Sequence, residues 1–283
     1  MTRPSKVVIH THHRVDDTAA TVAQLVAALR DAGVEVIANQ AEADKHPEAA
    51  MTVVDDTVAA EPDVAVVLGG DGTMLAAMRD YAPFGTVVFS FNFGAVGFLA
   101  TLEPGQIEEG TRRLLEGDYE VLARPTLSIE PAAGRQLAVN DIAFVRRSGA
   151  RVAELAYLVS GELLARARCD GLVVSTAVGS TGYNLANGGP IMAWGVEGYV
   201  VSFIAPHTLT ARTLVAATSD VLVVRNHSLE ESVDVETDGR RVCTLEPGQD
   251  LEVRFEDRPA RLAKLPGTGF YDQLAGKFGR LVG

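Results

Sequence analysis

The sequence lacks the features that mark several classes of protein. Its two cysteines, Cys169 and Cys243, stand far apart and outside any CxxC pattern. This argues against a zinc site or a disulfide scaffold and favours two packed, reduced thiols. No run approaches the roughly 18 apolar residues that a membrane-spanning helix requires. Val7–Ile9 is too short for the core of a signal peptide. We therefore expect a cytoplasmic protein in which this run is the first β-strand.

Positive charge is also scarce. The chain has 25 Lys and Arg against 37 Asp and Glu, which gives a formal net charge of −12 at pH 7. Proteins that bind nucleic acid over a broad surface need many basic side chains to displace counterions, so we expect no nucleic-acid partner. A ligand that carries phosphates must then be bound locally, by backbone N–H groups, a metal ion and a few arginines.

The first part of the 283-residue chain alternates strand-like and helix-like patterns. Its apolar strand-like runs are Lys6–His10, Val34–Ile37, Asp63–Leu68 and Thr86–Phe91. Between the first two, apolar residues recur at helical spacing until Gly33. This rhythm predicts an α/β domain over residues 1–105, with an open, mostly parallel sheet covered by helices.

The pattern changes after Thr101 to short β-like runs separated by turn residues. These runs are Tyr119–Leu122, Leu127–Glu130, Gln136–Arg146, Val152–Val159, Leu172–Thr176, Tyr199–Ile204, Val221–Val224, Val233–Glu236 and Leu251–Phe255. We expect residues 106–266 to form a β-rich, sandwich-like domain. Residues 267–283 are compatible with a helix, which we expect to pack back on the first domain.

A glycine-rich loop follows the third apolar run. Gly69–Thr73 encloses one aspartate among three glycines, and a helical pattern begins at Thr73. Glycines let phosphates approach the backbone, and a helix N-terminus offers N–H groups to an anion. The loop is neither G-x-G-x-x-G nor a P-loop. Asp71 is therefore unusual: it could accept a proton from an attacking hydroxyl, hold Mg²⁺, or only shape the turn.

A second loop, rich in small and hydroxyl residues, follows a strand in the β-rich half. It runs from Asp170 to Pro190 and includes Ser180, Thr181, Gly182, Tyr183 and Asn184. Such a loop can present N–H and O–H donors to a ribose or a phosphate, and Tyr183 can stack on a flat ring. The alternative is a hairpin whose hydroxyls satisfy only their own backbone.

Together the two loops resemble the NAD kinase family. Gly69–Thr73 matches a signature that this family shares with lipid kinases of the diacylglycerol type, which lack the second block. Further similar segments are Asn92–Leu99, the pair Asn140-Asp141, the run Asp170–Pro190 and the ending Gly269–Gly279. The resemblance thus spans almost the whole chain and implies transfer of a phosphoryl group to the adenosine ribose 2′-OH of NAD, giving NADP.

The resemblance also implies roles for individual residues. Asp71 would be the general base, and the remaining expected nucleotide-binding residues are Gly70, Gly72, Thr73, Phe98, Asn140, Asp141, Asp170, Ser180, Thr181, Gly182, Tyr183 and Asn184. The phosphoryl donor would be ATP or polyphosphate. A divalent metal, Mg²⁺ first of all, would be needed. The protein would assemble as a homodimer or homotetramer. Two alternatives remain. One is a lipid kinase or another small-molecule kinase that shares the first loop, and the other is a nucleotide-binding sensor with weakened catalysis.

Three positions depart from the family pattern. Ala177-Val178 stands where Pro-Thr is usual, Gly182 replaces an alanine, and Asp141 is one methylene shorter than the usual glutamate. We expect these changes to alter the acceptor pocket rather than the reaction, with Val178 removing a hydroxyl that could meet the ligand.

Two basic clusters also need an interpretation. His10, His12 and His13 follow the first strand, where a metal site or a solvated loop could lie; the solvated loop is favoured. Arg146-Arg147 and Arg151 could contact a phosphate or a neighbouring subunit, but a solvated hairpin tip is favoured.

Overall fold

The computed structural model describes residues 2–94, 99, 102–256, 258–265 and 269–279. Within these residues the α-helices are α1 Val15–Asp31, α2 Gln40–Lys45, α3 Asp71–Tyr81, α4 Ile107–Glu116, α5 Tyr183–Ala186 and α6 Phe270–Phe278. The strands are β1 Lys6–Thr11, β2 Glu35–Ala38, β3 Thr52–Val53, β4 Val64–Gly69, β5 Val87–Asn92, β6 Glu120–Arg124, β7 Leu127–Ile129, β8 Gln136–Ala138, β9 Asp141–Arg146, β10 Ala153–Val159, β11 Glu162–Cys169, β12 Gly171–Thr176, β13 Tyr199–Ile204, β14 Leu214–Ala216, β15 Leu222–Asn226, β16 Val233–Thr237, β17 Arg240–Leu245, β18 Asp250–Phe255 and β19 Ala260–Lys264.

The chain divides into two compact units. Unit 1 comprises residues 1–124 and 259–283, and unit 2 comprises residues 125–258. No helix among the described residues is long and apolar enough to cross a membrane.

Unit 1 is an α/β domain built on a seven-stranded sheet in the order β3-β2-β1-β4-β5-β19-β6. All its strand pairs are parallel except that between β19 and β6. Every residue of β4 and β5 is buried, which is why their sequences are nearly continuous apolar runs rather than alternating ones. The predicted parallel sheet is confirmed.

Helix α1 covers this sheet with an apolar stripe. Val22, Leu25, Val26 and Leu29 are buried, and they recur at the spacing that places side chains on one face of a helix. Gly33 follows with a φ of +78°, a left-handed conformation that glycine adopts without strain and that turns the chain into β2.

Unit 2 is a sandwich of two antiparallel six-stranded sheets. Their orders are β11-β10-β15-β18-β7-β8 and β14-β13-β12-β9-β16-β17. One hydrophobic core draws buried side chains from both sheets, for example Leu155 and Tyr157 of β10 and Leu172 and Val174 of β12. Tyr157 also contacts Phe203 of β13, with ring centroids 5.7 Å apart. The predicted β-rich, sandwich-like fold is confirmed.

The division between the units differs from the boundaries expected at residues 105 and 266. Helix α4 and strand β6 belong to unit 1, which extends to Arg124, and β19 returns from the end of unit 2 to lie between β5 and β6. Strand β6 was predicted as a short strand of the β-rich domain, and β19 was not predicted. Only their long-range pairing, such as Leu262 with Val88 on one side and Leu122 on the other, assigns them to the first sheet.

Further differences concern strands of unit 2, where β11, β14 and β17 were not predicted. The run predicted as one strand over Gln136–Arg146 is broken at Val139-Asn140 into β8 and β9, which lie in different sheets. Strand β11 is an edge strand in which five of the eight residues are exposed, among them Leu163 and Leu164. Its inward face is made of small residues, Ala165, Ala167 and Cys169, which give only a weak apolar signal in the sequence.

The C-terminal tail forms α6 and belongs to unit 1, as expected. Leu274 is buried, and the Asp272 side chain accepts a hydrogen bond from the Gly269 N–H at the start of the helix.

Candidate active site

The glycine-rich loop lies where β4 of unit 1 ends and α3 begins. Gly70 is the N-cap residue, and Asp71 is the first residue of the helix, two positions before the predicted start at Thr73. Thr73 and Met74 donate their N–H groups to the Gly70 carbonyl. A helix start carries further N–H groups without intrahelical acceptors and a partial positive charge, so Gly70–Thr73 can bind an anion.

A second loop of unit 1 lies directly against this one. A Cβ added to Gly94 would stand 2.7 Å from the Gly70 Cα, so the two backbones approach more closely than any side chain would permit. The Phe93 N–H also donates to the Gly69 carbonyl at 3.1 Å. The start of the loop after β5 thus packs against the glycine-rich loop and supports it. This loop belongs to the segment Asn92–Leu99, which resembles a segment of the family.

The loop after β5 also holds the side chain of Asp71. One of its carboxylate oxygens accepts a hydrogen bond from the Leu99 N–H at 3.3 Å. Asn92 holds the start of the same loop, because its side-chain oxygen accepts from the Gly94 N–H at 3.2 Å. The helix start and the neighbouring loop therefore orient the carboxylate that sequence analysis selects as a general base. Phe98, an expected nucleotide-binding residue, lies outside the described residues.

The histidines after β1 have different environments. His10 is paired through Nε2 with the Tyr81 hydroxyl at 3.1 Å, and burial lowers the pKa of its imidazole. The rings of His12 and His13 lie with centroids 3.9 Å apart. No group of three or more His, Cys, Asp or Glu side chains suited to a metal ion occurs among the residues that the structure describes.

In unit 2, Asn140 and Asp141 lie at the break between β8 and β9. The backbone N–H groups of Val139, Asn140 and Asp141 all donate to the carboxylate of Asp238, at 3.0, 2.7 and 3.1 Å. Asp238 thus positions this segment and breaks the strand. The pair Asp238-Gly239 is in sequence typical only of a turn between strands. A turn aspartate with a φ of +47° gives no signal of such a long-range role.

The side chain of Asp141 is buried in a negatively charged environment. The residue is 6% exposed. Burial, and then the charges of Asp238 and Glu236, raise the pKa of its carboxyl to about 7. A buried carboxyl beside two anions is expected to favour its neutral form.

The loop that follows β12 packs on this segment. A Cβ on Gly179 would stand 2.0 Å from the Asn140 carbonyl oxygen, so only glycine permits the contact. A Cβ on Gly182 would stand 3.9 Å from both Asp141 Oδ2 and Asn140 Nδ2. The structure therefore brings Asn140, Asp141 and Gly182 together.

Two expected ligand-binding side chains of this loop point into the protein. Ser180 is fully buried; its hydroxyl donates to the Ala177 carbonyl at 2.7 Å and accepts from the Met192 N–H at 2.9 Å. Asn184 is fully buried too, and its amide group donates to the carbonyls of Ser180 and Pro190. Both side chains hold the shape of the loop, which a run of hydroxyl and amide residues in the sequence cannot reveal.

Val178 was expected to matter because it removes a hydroxyl from the acceptor pocket. Its side chain is only 3% exposed and lies inside the protein, and the Thr181 hydroxyl donates to its carbonyl at 3.2 Å. The expectation for Val178 does not fit this position, because a side chain at residue 178 faces neighbouring protein atoms.

The remaining two side chains of the block are partly exposed. Asp170 forms an ion pair with Arg146, which is therefore no free phosphate-binding group. Tyr183 is 36% exposed, so its ring remains accessible for stacking. Burial, followed by the charges of Glu236, Asp141 and Asp170, raises the pKa of its hydroxyl.

Comparisons with known proteins agree with both units. Residues 7–119 match the family model of the ATP-NAD kinase N-terminal domain, and residues 139–265 match that of the ATP-NAD kinase C-terminal domain. Relatives include the NAD kinase of Symbiobacterium thermophilum, 32% identical over 90% of this chain and 92% of its own. Another is the NAD kinase of Acidobacterium capsulatum, 30% identical over 96% and 97%.

Two solved structures are similar in fold. Yeast NADH kinase complexed with NADH superimposes with a TM-score of 0.86, at 21% identity over 100% of this chain and 90% of that one. An NAD kinase from Archaeoglobus fulgidus in complex with ATP gives a TM-score of 0.74, at 25% identity over 97% and 96%.

Proposed function

Because the chain belongs to the NAD kinase family, we propose that it phosphorylates the adenosine ribose 2′-OH of NAD with the two loops described above. The observation that carries this proposal is Asp71. It is a carboxylate oriented by the Leu99 N–H at the first turn of α3, among glycines that leave phosphates access to the backbone. A carboxylate at a phosphate-binding loop repels its ligand unless it acts in the chemistry.

Asp71 is proposed to accept the proton of the attacking hydroxyl. The electron pair of that oxygen then forms the new bond to phosphorus, while the bond between the transferred phosphoryl group and the donor breaks. Phosphoryl transfer depends mainly on positioning and charge neutralisation. Gly70 and Gly72 would supply N–H groups and space for the phosphates, and Thr73 its hydroxyl; a Cβ on Gly72 would meet no atom within 4 Å.

Unit 2 is proposed to bind the acceptor. Asn140, Asp141, Asp170, Thr181, Gly182 and Tyr183 would face it through side chains or exposed backbone, with Tyr183 stacking on a ring. Ser180 and Asn184 would act through the loop that their buried side chains hold. Phe98 remains a prediction from the family resemblance.

The donor is ATP, which is the nucleotide of the family, and inorganic polyphosphate is a proposed second donor. Mg²⁺ is usually bound by one or two carboxylates together with substrate phosphates rather than by a cage of protein ligands. The glycine-rich loop fits that mode, because it would hold the phosphates that coordinate the ion while Asp71 acts as the base. When bound, the ion would neutralise charge on the phosphates.

The test is a product assay with purified protein. NAD and NADH are each offered with ATP or polyphosphate, with and without Mg²⁺, and NADP or NADPH is measured with an NADP-specific dehydrogenase. We expect NADP from NAD and ATP with Mg²⁺. Phosphorylation of a lipid alcohol without NADP formation would favour the lipid kinase alternative, and tight NAD binding without turnover would favour a sensor. Light scattering on the same sample measures the expected dimer or tetramer.

A further inference from the structure

A cavity of about 590 Å³ lies in unit 1, at the edge of the sheet where β1, β4 and β5 begin. Its lining includes Ser5 and Asp63, which stand just before β1 and β4, and Val87, the first residue of β5. The glycine-rich loop follows the other end of β4, so a six-residue strand of roughly 20 Å separates the two places. The volume is within the range of pockets that bind small molecules. We call this the amino-edge cavity.

Hydrogen bonds hold the chain that forms one wall of the amino-edge cavity. The Asp63 carboxylate accepts from the N–H and the hydroxyl of Ser5, both at 2.7 Å, and from the Lys6 N–H at 3.0 Å. These donors also compensate the negative charge of Asp63. The other acidic residue of the lining, Glu61, is exposed to solvent.

Tyr119 brings a polar group without a protein partner to this cavity. The residue is only 8% exposed, and its ring packs edge-on against Phe89, with centroids 5.5 Å apart. Its hydroxyl has no hydrogen-bond partner among the residues that the structure describes. Burial, and then the charge of Asp63, raise the pKa of this hydroxyl, so it keeps its proton and can donate. Buried polar groups are nearly always hydrogen-bonded, and the cavity is where an acceptor can reach this one.

Two arginines and an aromatic ring complete the lining. Arg261 donates from Nη1 to the Gly85 carbonyl at 3.0 Å, which holds its guanidinium at the cavity wall. Within the described part of the chain, neither Arg261 nor Arg3 forms an ion pair. Guanidinium groups bind carboxylate and phosphate oxygens through several N–H donors. Phe84 precedes Gly85 and is 60% exposed, so it offers a flat apolar face beside these cations.

We propose that the amino-edge cavity binds a small anion that carries a planar ring, such as an aromatic phosphate or carboxylate. Arg3 and Arg261 would bind the anionic group, and the ring would pack on Phe84. The Tyr119 hydroxyl would donate to a lone pair of the ligand. The site contains no residue of the glycine-rich loop or of unit 2, so it stands independently of the proposed function.

The test uses the whole protein and phenyl phosphate, a small probe with both an anionic group and a ring. Binding is followed by saturation-transfer NMR, with saturating NAD and a non-hydrolysable ATP analogue present to occupy the site of the proposed function. We expect saturable binding with a Kd of roughly millimolar order, as is usual for so small a ligand. Inorganic phosphate and phenol should each bind roughly tenfold more weakly, because each lacks one half of the contacts.

Two variants assign this binding to the amino-edge cavity. Tyr119→Phe keeps the ring that packs on Phe89 and lacks the hydroxyl, whereas Arg261→Gln lacks the charge. Each should raise the Kd for phenyl phosphate by roughly five- to tenfold. The melting temperature of Tyr119→Phe should equal or exceed that of the wild type, because no hydrogen bond within the protein is lost. Tyr271→Phe and Arg212→Gln are the controls, since both residues are exposed and outside the lining.

A third variant, Phe84→Ala, tests the ring. It should weaken phenyl phosphate binding and leave the binding of inorganic phosphate unchanged, and equal effects on both would exclude the ring contact. The proposal fails if no saturable binding is found, or if NAD and the ATP analogue abolish it. It also fails if Tyr119→Phe and Arg261→Gln bind as tightly as the wild type. A Tyr119→Phe protein that melts well below the wild type would show that the hydroxyl is bonded within the protein, which contradicts the proposal as well.

Discussion

Asp238 and Asp141 are two carboxylates of one corner of unit 2 with opposite environments. Asp238 accepts three backbone N–H groups, whereas Asp141 is buried beside two anions and receives no such donor from the described residues. The first carboxylate holds the second in place. The fold thus keeps a carboxyl whose charged form is unfavourable, as is common at functional sites.

Asp141→Asn is expected to stabilise the protein, and more at high than at low pH. The folded-state pKa of about 7 lies above the ordinary value of 3.8. The wild-type side chain therefore contributes its full stability only below about pH 4, and this contribution is lost as the pH rises through 7. The advantage of the variant should grow by roughly 2–3 kcal/mol between pH 5 and pH 8. Urea unfolding at both pH values measures it, and an equal difference at both would contradict the assignment.

Val178→Thr tests the corrected interpretation of the second loop. The side chain of Val178 is buried, so an added hydroxyl meets protein atoms rather than the acceptor. We expect KM for NAD to remain within about twofold of wild type while the free energy of unfolding falls by roughly 1–3 kcal/mol, the cost of burying an unpaired hydroxyl. A large fall in KM at unchanged stability would restore the idea that residue 178 faces the ligand.

At the scale of elements, the glycine-rich loop depends on its neighbour after β5. Gly94→Ala would place a Cβ 2.7 Å from the Gly70 Cα and force the two loops apart. We expect kcat to fall at least tenfold, because the Leu99 contact that orients Asp71 is displaced with the loop. Gly105→Ala is the control, since its Cβ would meet no atom within 4 Å. Equal activity in both variants would show that the loop contact has no role in turnover.

A buried hydrogen-bond chain joins α2 to the end of β1. The Thr11 hydroxyl donates to Glu42 at 2.6 Å, so it must accept from His46 Nε2, 3.0 Å away. His46 therefore carries its proton on Nε2, and the buried Nδ1 has no partner among the described residues. Burial is the largest cause that lowers the pKa of His46.

These hydrogen bonds between His46, Thr11 and Glu42 predict that the stability of the protein falls at acid pH. Because the folded-state pKa of His46 lies below 6.5, its contribution to stability is fully present above that value and is lost as the pH falls through it. The wild-type melting temperature should fall between pH 7 and pH 5. His46→Gln keeps a donor toward Thr11 without titrating, so it should lose less. His10, whose pKa burial also lowers, accounts for part of the remaining loss. An identical pH dependence in the variant would exclude His46 as a cause.

The sequence patterns predicted the elements whose burial is uniform or periodic. Strands β4 and β5 are buried on both faces, and the stripe of α1 has helical spacing, so local pattern and final structure agree. The break at Val139-Asn140 depends on Asp238, about a hundred residues away, and no local pattern carries that information. The edge strand β11 has only small residues on its buried face, so its pattern is weak. The inward orientation of Ser180 and Asn184 is likewise a matter of tertiary packing.

At the scale of the molecule, unit 1 is completed by chain that follows unit 2. Strand β19 lies between β5 and β6, so the sheet is continuous only when the end of the chain has returned. Leu262 is 2% exposed in this position. Leu262→Ala should therefore lower the free energy of unfolding by roughly 2–5 kcal/mol. Leu209→Ala is the control, because Leu209 is 95% exposed. A similar small loss in both variants would contradict the placement of β19 in the core of unit 1.

The central claim is that Asp71 is the general base of NAD phosphorylation, and Asp71→Asn tests it most directly. The asparagine keeps the shape and an oxygen that can accept from the Leu99 N–H, but it cannot take the proton. We expect kcat for NADP formation to fall by roughly 10²–10⁴, with NAD binding measured by calorimetry unchanged and Asp17→Asn fully active. Full turnover in Asp71→Asn would contradict the account.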